Sequence, residues 1–314
     1  MPINHIQPRV VTYDEGRDHI TWSGAIEALR GGHLLPRAQV GDIFLGPATG
    51  TLLSRAAYIE GLGYGVKSVT VFDANPRRNL PTVQGAMLVF GPEDGSPRAI
   101  IDSRLVTEFK TAGDSVLGAQ LLARPNSRHL LIVGAGTVAA SLVQAYASAF
   151  PHLDRITVWA RRFEQAEALV AEMGRMPPQL VAVPDLREAV EAADIISSAT
   201  MSREPLILGD WVQPGSHVDL IGAYKADMRE ADDLLMTKAA LYVDSRNTTL
   251  GHIGELMMPI ASGAITEESV QGDLYDLVAR TTPARSSAEE VTVFKNGGGA
   301  HLDLMIASHI AASF

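Results

Sequence analysis

The chain has no cysteine among its 314 residues. That excludes disulfides, thiolate catalysis, and zinc or iron–sulfur sites built on cysteine, and it fits a reducing compartment. Basic residues are in deficit: 26 Lys and Arg stand against 36 Asp and Glu, a formal charge of −10. A uniformly acidic chain repels phosphate backbones, so no nucleic-acid partner is expected. No apolar run approaches the roughly 18–20 residues of a membrane span. The opening residues, MPINHIQPRVVTYDEG, contain no apolar core of signal-peptide type. Nine histidines are scattered without a metal-ligand spacing such as HExxH, and no metal is expected. Neither an internal repeat nor a low-complexity tract is visible. The expectation is a soluble, cytoplasmic protein.

Hydrophobic residues make up 46% of the chain, ample for the two cores that this length suggests. One stretch dominates, HLLIVGAGTVAASLVQAY at 129–146. Leu130 to Val133 read as a buried strand, Gly134-Ala135-Gly136 as a tight turn, and Thr137 to Ala149 as a helix that Pro151 ends. This is the context that a dinucleotide fingerprint requires. Gly134 permits the turn, Gly136 lets backbone approach a pyrophosphate, and Ala139 is small enough for close helix–strand packing. The N–H groups of Thr137, Val138 and Ala139 then face the phosphates.

Either side of this stretch the pattern differs. Residues 9–12 read as a strand and 21–29 as a helix closed by Gly31-Gly32. Short apolar runs at 42–45, 56–59, 64–71, 86–90 and 98–101 read as a meandering, largely antiparallel sheet, with a hairpin connection at 91–95. A long helix follows over 103–123, with Leu105, Phe109, Ala112, Val116 and Gln120 along one side. From residue 129 strands alternate with helices: 129–133, 155–159, 179–183, 194–198, 217–221 and 240–244, with a further strand in 288–295 and a helix over 302–313. Such alternation predicts a parallel, doubly wound α/β sheet. Thr200, just beyond the fourth strand, then lies at the carboxyl edge where ligands bind.

The second strand bears on the cofactor. NAD-binding folds place an acidic residue at its end for the ribose hydroxyls. Here the strand ends Trp159-Ala160-Arg161-Arg162, with no carboxylate at the turn. Guanidinium groups suit a 2′-phosphate by charge and by bidentate hydrogen bonds. NADP(H) is therefore favoured, with NAD(H) the alternative. Lys67 is notable for another reason: it interrupts an apolar strand pattern, where a charge needs a partner or a ligand.

A series of blocks spans nearly the whole chain: LPRAQ (35–39), GVKSVTVFDANPRRNLPTVQG (65–85), FKTAGDSVLGA (109–119), VGAGTVAASL (133–142), VWARR (158–162), SSATMSREPL (197–206), GSHVDLIGAYKADMREADD (215–233) and EEVTVFKNGGGAHLDL (289–304). In combination they resemble the ornithine cyclodeaminase/mu-crystallin family. The resemblance implies a homodimer of two-domain subunits. A smaller α+β domain, residues 1–125 plus 302–314, would bind substrate and dimerise; a Rossmann domain, 126–301, would bind NAD(P). It implies that Arg37 and Lys67 contact the substrate carboxylate and that Thr82 lies near the cofactor. Ile221, Tyr224 and Gly297 fall in blocks expected near the cofactor, Gly297 near its nicotinamide.

Two departures shape the expected chemistry. Lys110 stands where the family usually has arginine, keeping the charge but losing the planar fork; it is a candidate for substrate carboxylate or cofactor phosphate. Tyr224 stands where the resemblance places the aspartate that handles protons in cyclodeaminases, and Asp227, three residues on, reads as a helix N-cap. Without that aspartate, the expectation is hydride transfer to a cyclic ketimine, Δ1-pyrroline-2-carboxylate or Δ1-piperideine-2-carboxylate, giving L-proline or L-pipecolate. Tyr224 and Lys67 are the candidate proton donors, with solvent a third source. An ornithine cyclodeaminase, an amino-acid dehydrogenase and a non-catalytic NADPH-binding protein of mu-crystallin type remain as alternatives.

Overall fold

A computed structural model describes residues 7–280 and 284–314. The chain packs as two compact units. One runs through Lys110 and takes up the chain again at Gly299–Phe314; the other is Thr111–Gly298.

The first unit holds β1 (Arg9–Val11), α1 (Tyr13–His19), α2 (Trp22–His33), β2 (Gln39–Leu45), β3 (Thr51–Ile59), β4 (Gly63–Val71), β5 (Val83–Phe90) and β6 (Pro97–Asp102). Its sheet has the order β1-β6-β5-β4-β3-β2, antiparallel from β6 to β2, with β1 parallel to β6. This is the expected meander, and Gly91–Gly95 forms the expected connection, Gly91 N–H donating to the Ser96 carbonyl at 3.0 Å. Alternation along β4 puts Gly65, Lys67 and Val69 on one buried face. The strand register aligns Asp42, Arg55 and Lys67 in one cross-strand row.

One expectation fails here. Gly31-Gly32 do not close α2, which continues through both to His33. The reason is packing: a Cβ at Gly32 would lie 2.5 Å from Met305 of the C-terminal helix, so glycine serves close helix approach rather than termination. Helix α1 was not anticipated, being short and polar; the Thr12 side chain caps it by accepting from Glu15 N–H.

Helix α3 (Ser103–Leu122) runs through the division. The sequence placed a boundary after residue 125, whereas packing divides the chain within this helix, after Lys110. In the first unit Phe109 packs against Trp22 with ring centroids 4.5 Å apart and the rings tilted by 40°. In the second, Gly118 lies so close to Phe294 that a Cβ would sit 2.7 Å from its ring. Gln120 is exposed, not on the buried side as expected.

The second unit contains β7 (His129–Val133), α4 (Thr137–Ala149), β8 (Arg155–Trp159), α5 (Phe163–Met173), β9 (Gln179–Ala182), α6 (Leu186–Ala192), β10 (Ile195–Ser198), β11 (His217–Leu220), α7 (Asp233–Lys238), β12 (Ala240–Val243), α8 (Arg246–Thr249), α9 (Gly254–Ala261), β13 (Val270–Asp273), α10 (Leu274–Val278) and β14 (Thr292–Lys295). The C-terminal helix α11 (Ala300–Ala312) belongs to the first unit. The second sheet, ordered β13-β12-β14-β11-β10-β7-β8-β9, is parallel throughout. The chain leaves β7 outward through β8 and β9 and returns on the other side at β10. Strand order therefore reverses beside β7, the place where doubly wound sheets bind ligands. The expected strands are all present; β13 was missed because VQGD carries too little apolar pattern. Asp227 caps no helix and instead pairs with Arg203 at 2.9 Å.

Candidate active site

In a parallel sheet all carboxyl ends face one edge. Gly134, Arg161, Thr200, Ile221 and Gly297 each follow the end of one of the neighbouring strands β7, β8, β10, β11 and β14, so the second unit gathers them on one edge. Gly134 has φ +118°, a conformation L side chains rarely adopt, and its N–H donates to the Trp159 carbonyl at 2.8 Å. A Cβ there would also strike the Ala199 carbonyl oxygen at 2.9 Å. At Gly136 the reverse holds: a Cβ would meet nothing within 4 Å. The first intrahelical bond of α4 is Ala140 N–H to the Gly136 carbonyl, which leaves the N–H groups of Thr137, Val138 and Ala139 without helical acceptors. Ala139 itself is buried against the sheet. Free donors, positive helix end and open space fit a dinucleotide pyrophosphate. Alongside lies a groove of about 460 Å³ lined by Ala135, Gly136, Thr137, Ala140, Gln165 and Leu169, among others. Arg161 and Arg162 are both exposed, and neither makes an ion pair with another described residue.

The ends of β10 and β11 are tied together by a carboxylate. Glu230, fully buried, accepts at Oε1 from Ser198 Oγ (2.6 Å), Thr200 N–H (2.7 Å) and Thr200 Oγ1 (2.7 Å), and at Oε2 from Gly222 N–H (2.6 Å) and Ala223 N–H (3.3 Å). The Thr200 hydroxyl proton is thus committed to Glu230. Glu255, also buried, accepts from the N–H groups of Glu230 (2.8 Å) and Ala231 (2.9 Å); burial and the charge of Glu230 push its carboxyl above the usual range. Ile221 is buried, whereas Tyr224 is 54% exposed with its ring 5.4 Å from the Lys225 ammonium.

At the next strand ends, Asp244 accepts from the N–H groups of Gly297 (2.9 Å) and Gly298 (2.6 Å). Burial raises its carboxyl, against those hydrogen bonds and the charge of Lys295. Lys295 is fully buried and donates to the carbonyls of Leu220 and Asn296, both at 2.8 Å. Asn296 is held in turn by Thr111 and Ser115 of α3.

The first unit carries a second cluster. Lys67 is buried, and its ammonium donates to Asp303 Oδ1 at 2.6 Å and to Thr107 Oγ1 at 3.5 Å. Burial opposes charge on Asp303, but Lys67 and Lys110 outweigh it and hold the carboxyl below the usual carboxylate range. Lys110, from α3, is buried in the same neighbourhood. His301, at the start of α11, packs edge-on against His33 with ring centroids 5.8 Å apart. Burial, then the charges of His33 and Lys110, push its imidazole down to about 3, so it is neutral at physiological pH. Arg37 is exposed before β2, and Thr82 precedes β5, its carbonyl accepting from Phe72 N–H.

Sequence reasoning missed Glu230, Asp244, Glu255, Lys295 and Asp303. Each is a charged residue that reads as solvated in one dimension. Only Asp303 left a trace, since Lys67 in an apolar strand demanded a partner without naming it.

Comparison with known proteins places this geometry. A model of the ornithine cyclodeaminase/mu-crystallin family matches residues 37–313. The chain is 67% identical over 304 residues to a Δ1-pyrroline-2-carboxylate reductase of Paracoccus denitrificans, covering 97% of this chain and 96% of that one. Among solved structures, Δ1-pyrroline-2-carboxylate reductase of Thermococcus litoralis in complex with NADH and L-proline superposes with a TM-score of 0.89 at 26% identity, covering 97% of each chain. An archaeal alanine dehydrogenase dimer with bound NAD also gives 0.89, at 27% identity over 98% of this chain and 95% of its own.

Proposed function

This chain belongs to the ornithine cyclodeaminase/mu-crystallin family, and from that premise we propose that it reduces a cyclic imino acid at the expense of a nicotinamide cofactor. The substrates are Δ1-pyrroline-2-carboxylate or Δ1-piperideine-2-carboxylate, the products L-proline or L-pipecolate. The observation that carries this reading is the loop after β11. It presents Tyr224, an exposed phenol, where a cyclodeaminase requires an aspartate, and its nearest carboxylate in sequence, Asp227, is paired with Arg203.

When bound, the reduced cofactor supplies the hydride that the imine carbon accepts. The chain's own groups do the rest. Thr137, Val138 and Ala139 N–H hold the pyrophosphate, and Thr200, Ile221 and Gly297 border the cofactor from neighbouring strand ends. Lys67, Arg37 and Lys110 provide positive charge for the substrate carboxylate. An ammonium has three donors, and Asp303 and Thr107 engage two on Lys67, leaving one for the substrate. A protonated imine is the better acceptor, because its charge is neutralised as the new C–H bond forms. Lys67, Tyr224 or water returns the nitrogen proton in the imine's own acid–base equilibrium.

Finer assignments belong to the same proposal. Arg161 and Arg162 favour NADPH through its 2′-phosphate. Strand β2, exposed along its whole length, is the dimerisation edge. The lack of cysteine suits a reducing cytoplasm. The test is oxidation of NADPH and NADH against pyrroline-2-carboxylate, piperideine-2-carboxylate and pyruvate with methylamine, with ornithine plus NAD as the contrary case. Turnover of a cyclic imine is expected; ammonia release from ornithine without imine reduction would overturn the reading. Arg161→Ala is expected to raise the KM for NADPH about tenfold with little change for NADH; equal effects on both would remove the 2′-phosphate assignment.

A further inference from the structure

Glu230 makes an arrangement that ordinary packing does not require. Five donors converge on one fully buried side chain, three on one carboxylate oxygen and two on the other. They come from the last residue of β10 and the loop that follows it, and from the loop following β11. Only an ionised carboxylate offers acceptors on both sides; glutamine would turn an NH₂ toward one of the two donor groups.

These loops are also the ones that meet the glycine turn. The Ala199 carbonyl lies against Gly134, and Gly222 approaches Thr200 so closely that a Cβ would sit 1.7 Å from its carbonyl oxygen. The turns after β7, β10 and β11 therefore form one contiguous rim at the carboxyl edge of the sheet, where strand order reverses. Glu230 lies behind that rim. Its own backbone is fixed by Glu255, whose carboxylate accepts from the N–H groups of residues 230 and 231. With no exposed surface, Glu230 cannot itself contact a ligand.

We propose that Glu230 is a positioning residue for the cofactor: it staples the loops after β10 and β11 at the spacing the dinucleotide needs. The proposal rests on the functional reading above. Hydrogen bonds to a charged acceptor are stronger than neutral ones, and leaving their donors buried and unpaired lets the loops separate. The substrate cations are not part of this device, so cofactor affinity is the property it controls.

The test is Glu230→Gln on the full-length chain, with NADPH and NADH binding read by fluorescence of the reduced cofactor. A Kd about tenfold to a hundredfold weaker is expected, with the cyclic-imine KM at saturating cofactor changed less than about twofold. A merely structural role would lower thermal stability without that split. A folded Glu230→Gln protein binding cofactor within about twofold of wild type would overturn the proposal. Should Glu230→Gln not fold, Ser198→Ala decides. It removes one of the five donors, and a Kd weakened by about two- to fivefold supports the proposal, while an unchanged Kd overturns it. Failure of the wild-type chain to bind either reduced cofactor would instead refute the underlying function.

Discussion

Asp219 lies on β11 with no exposed surface, so water cannot solvate its charge. Ser197 Oγ donates to it at 2.6 Å, yet burial dominates and lifts its carboxyl from 3.8 to about 7. The folded protein therefore binds this proton more tightly than the unfolded chain does. The stability contributed is complete below the unfolded value and disappears as pH rises through the folded one. Asp219→Asn keeps the side chain neutral at every pH. Its thermal stability relative to wild type is expected to improve steadily from about pH 4 to about pH 8. A difference that stays constant across a pH series of melting curves would mean that burial does not govern this carboxyl. Asp303 shows the opposite outcome at the same degree of burial, because Lys67 donates to it directly at 2.6 Å and Lys110 adds a second charge.

At the scale of the element, the glycine turn separates two demands on one residue type. Gly134 and Gly222 are glycine because backbone would collide with a side chain: Ala199 at the first, Thr200 at the second. Gly136 is glycine although its own surroundings would admit a Cβ. Its small size leaves room for something approaching α4 from outside the fold. Gly136→Ala is thus expected to melt within about 2 °C of wild type while weakening NAD(P)H binding at least about tenfold. Thermal denaturation alongside cofactor titration checks this; unchanged binding would place the pyrophosphate elsewhere. Helix α3 makes a related point: Phe109 packs on Trp22 in one unit, and Ser115 accepts from Asn296 in the other. A break in residue composition at 124–126 is a break in chain pattern, not in packing.

For the molecule as a whole, the open feature is the sheet of the first unit. Its edge strand β2 leaves Val40, Ile43, Phe44 and Leu45 between 48% and 66% exposed. An apolar edge strand of this length pairs readily with another chain unless it is covered. The homodimer proposed above, built on β2, would account for it. Phe44→Glu in β2 is expected to shift the sedimentation coefficient from dimer to monomer while the second unit keeps its cofactor affinity. A dimer of unchanged stability would place the interface on another surface.

Much of this was readable along the chain. The strands of the second unit were legible because each is a short apolar run bounded by polar residues, and a parallel sheet buried on both faces needs little else. VGAGTV was legible because turn, helix start and small packing residue lie within six positions of one another. Local chemistry of this kind is encoded by neighbours in sequence. The staples were not legible, since their partners are far apart: Lys67 meets Asp303 across 236 positions, and Glu230 meets Thr200 across 30. A glutamate in a run such as MREADD reads as solvated until the fold surrounds it with five donors. Sequence alone thus determined the sheet, the glycine turn and the class of cofactor, because these follow from short-range pattern. The tertiary structure alone decided which charges are buried and what each one holds in place, because desolvation and hydrogen bonding depend on neighbours that only folding brings together.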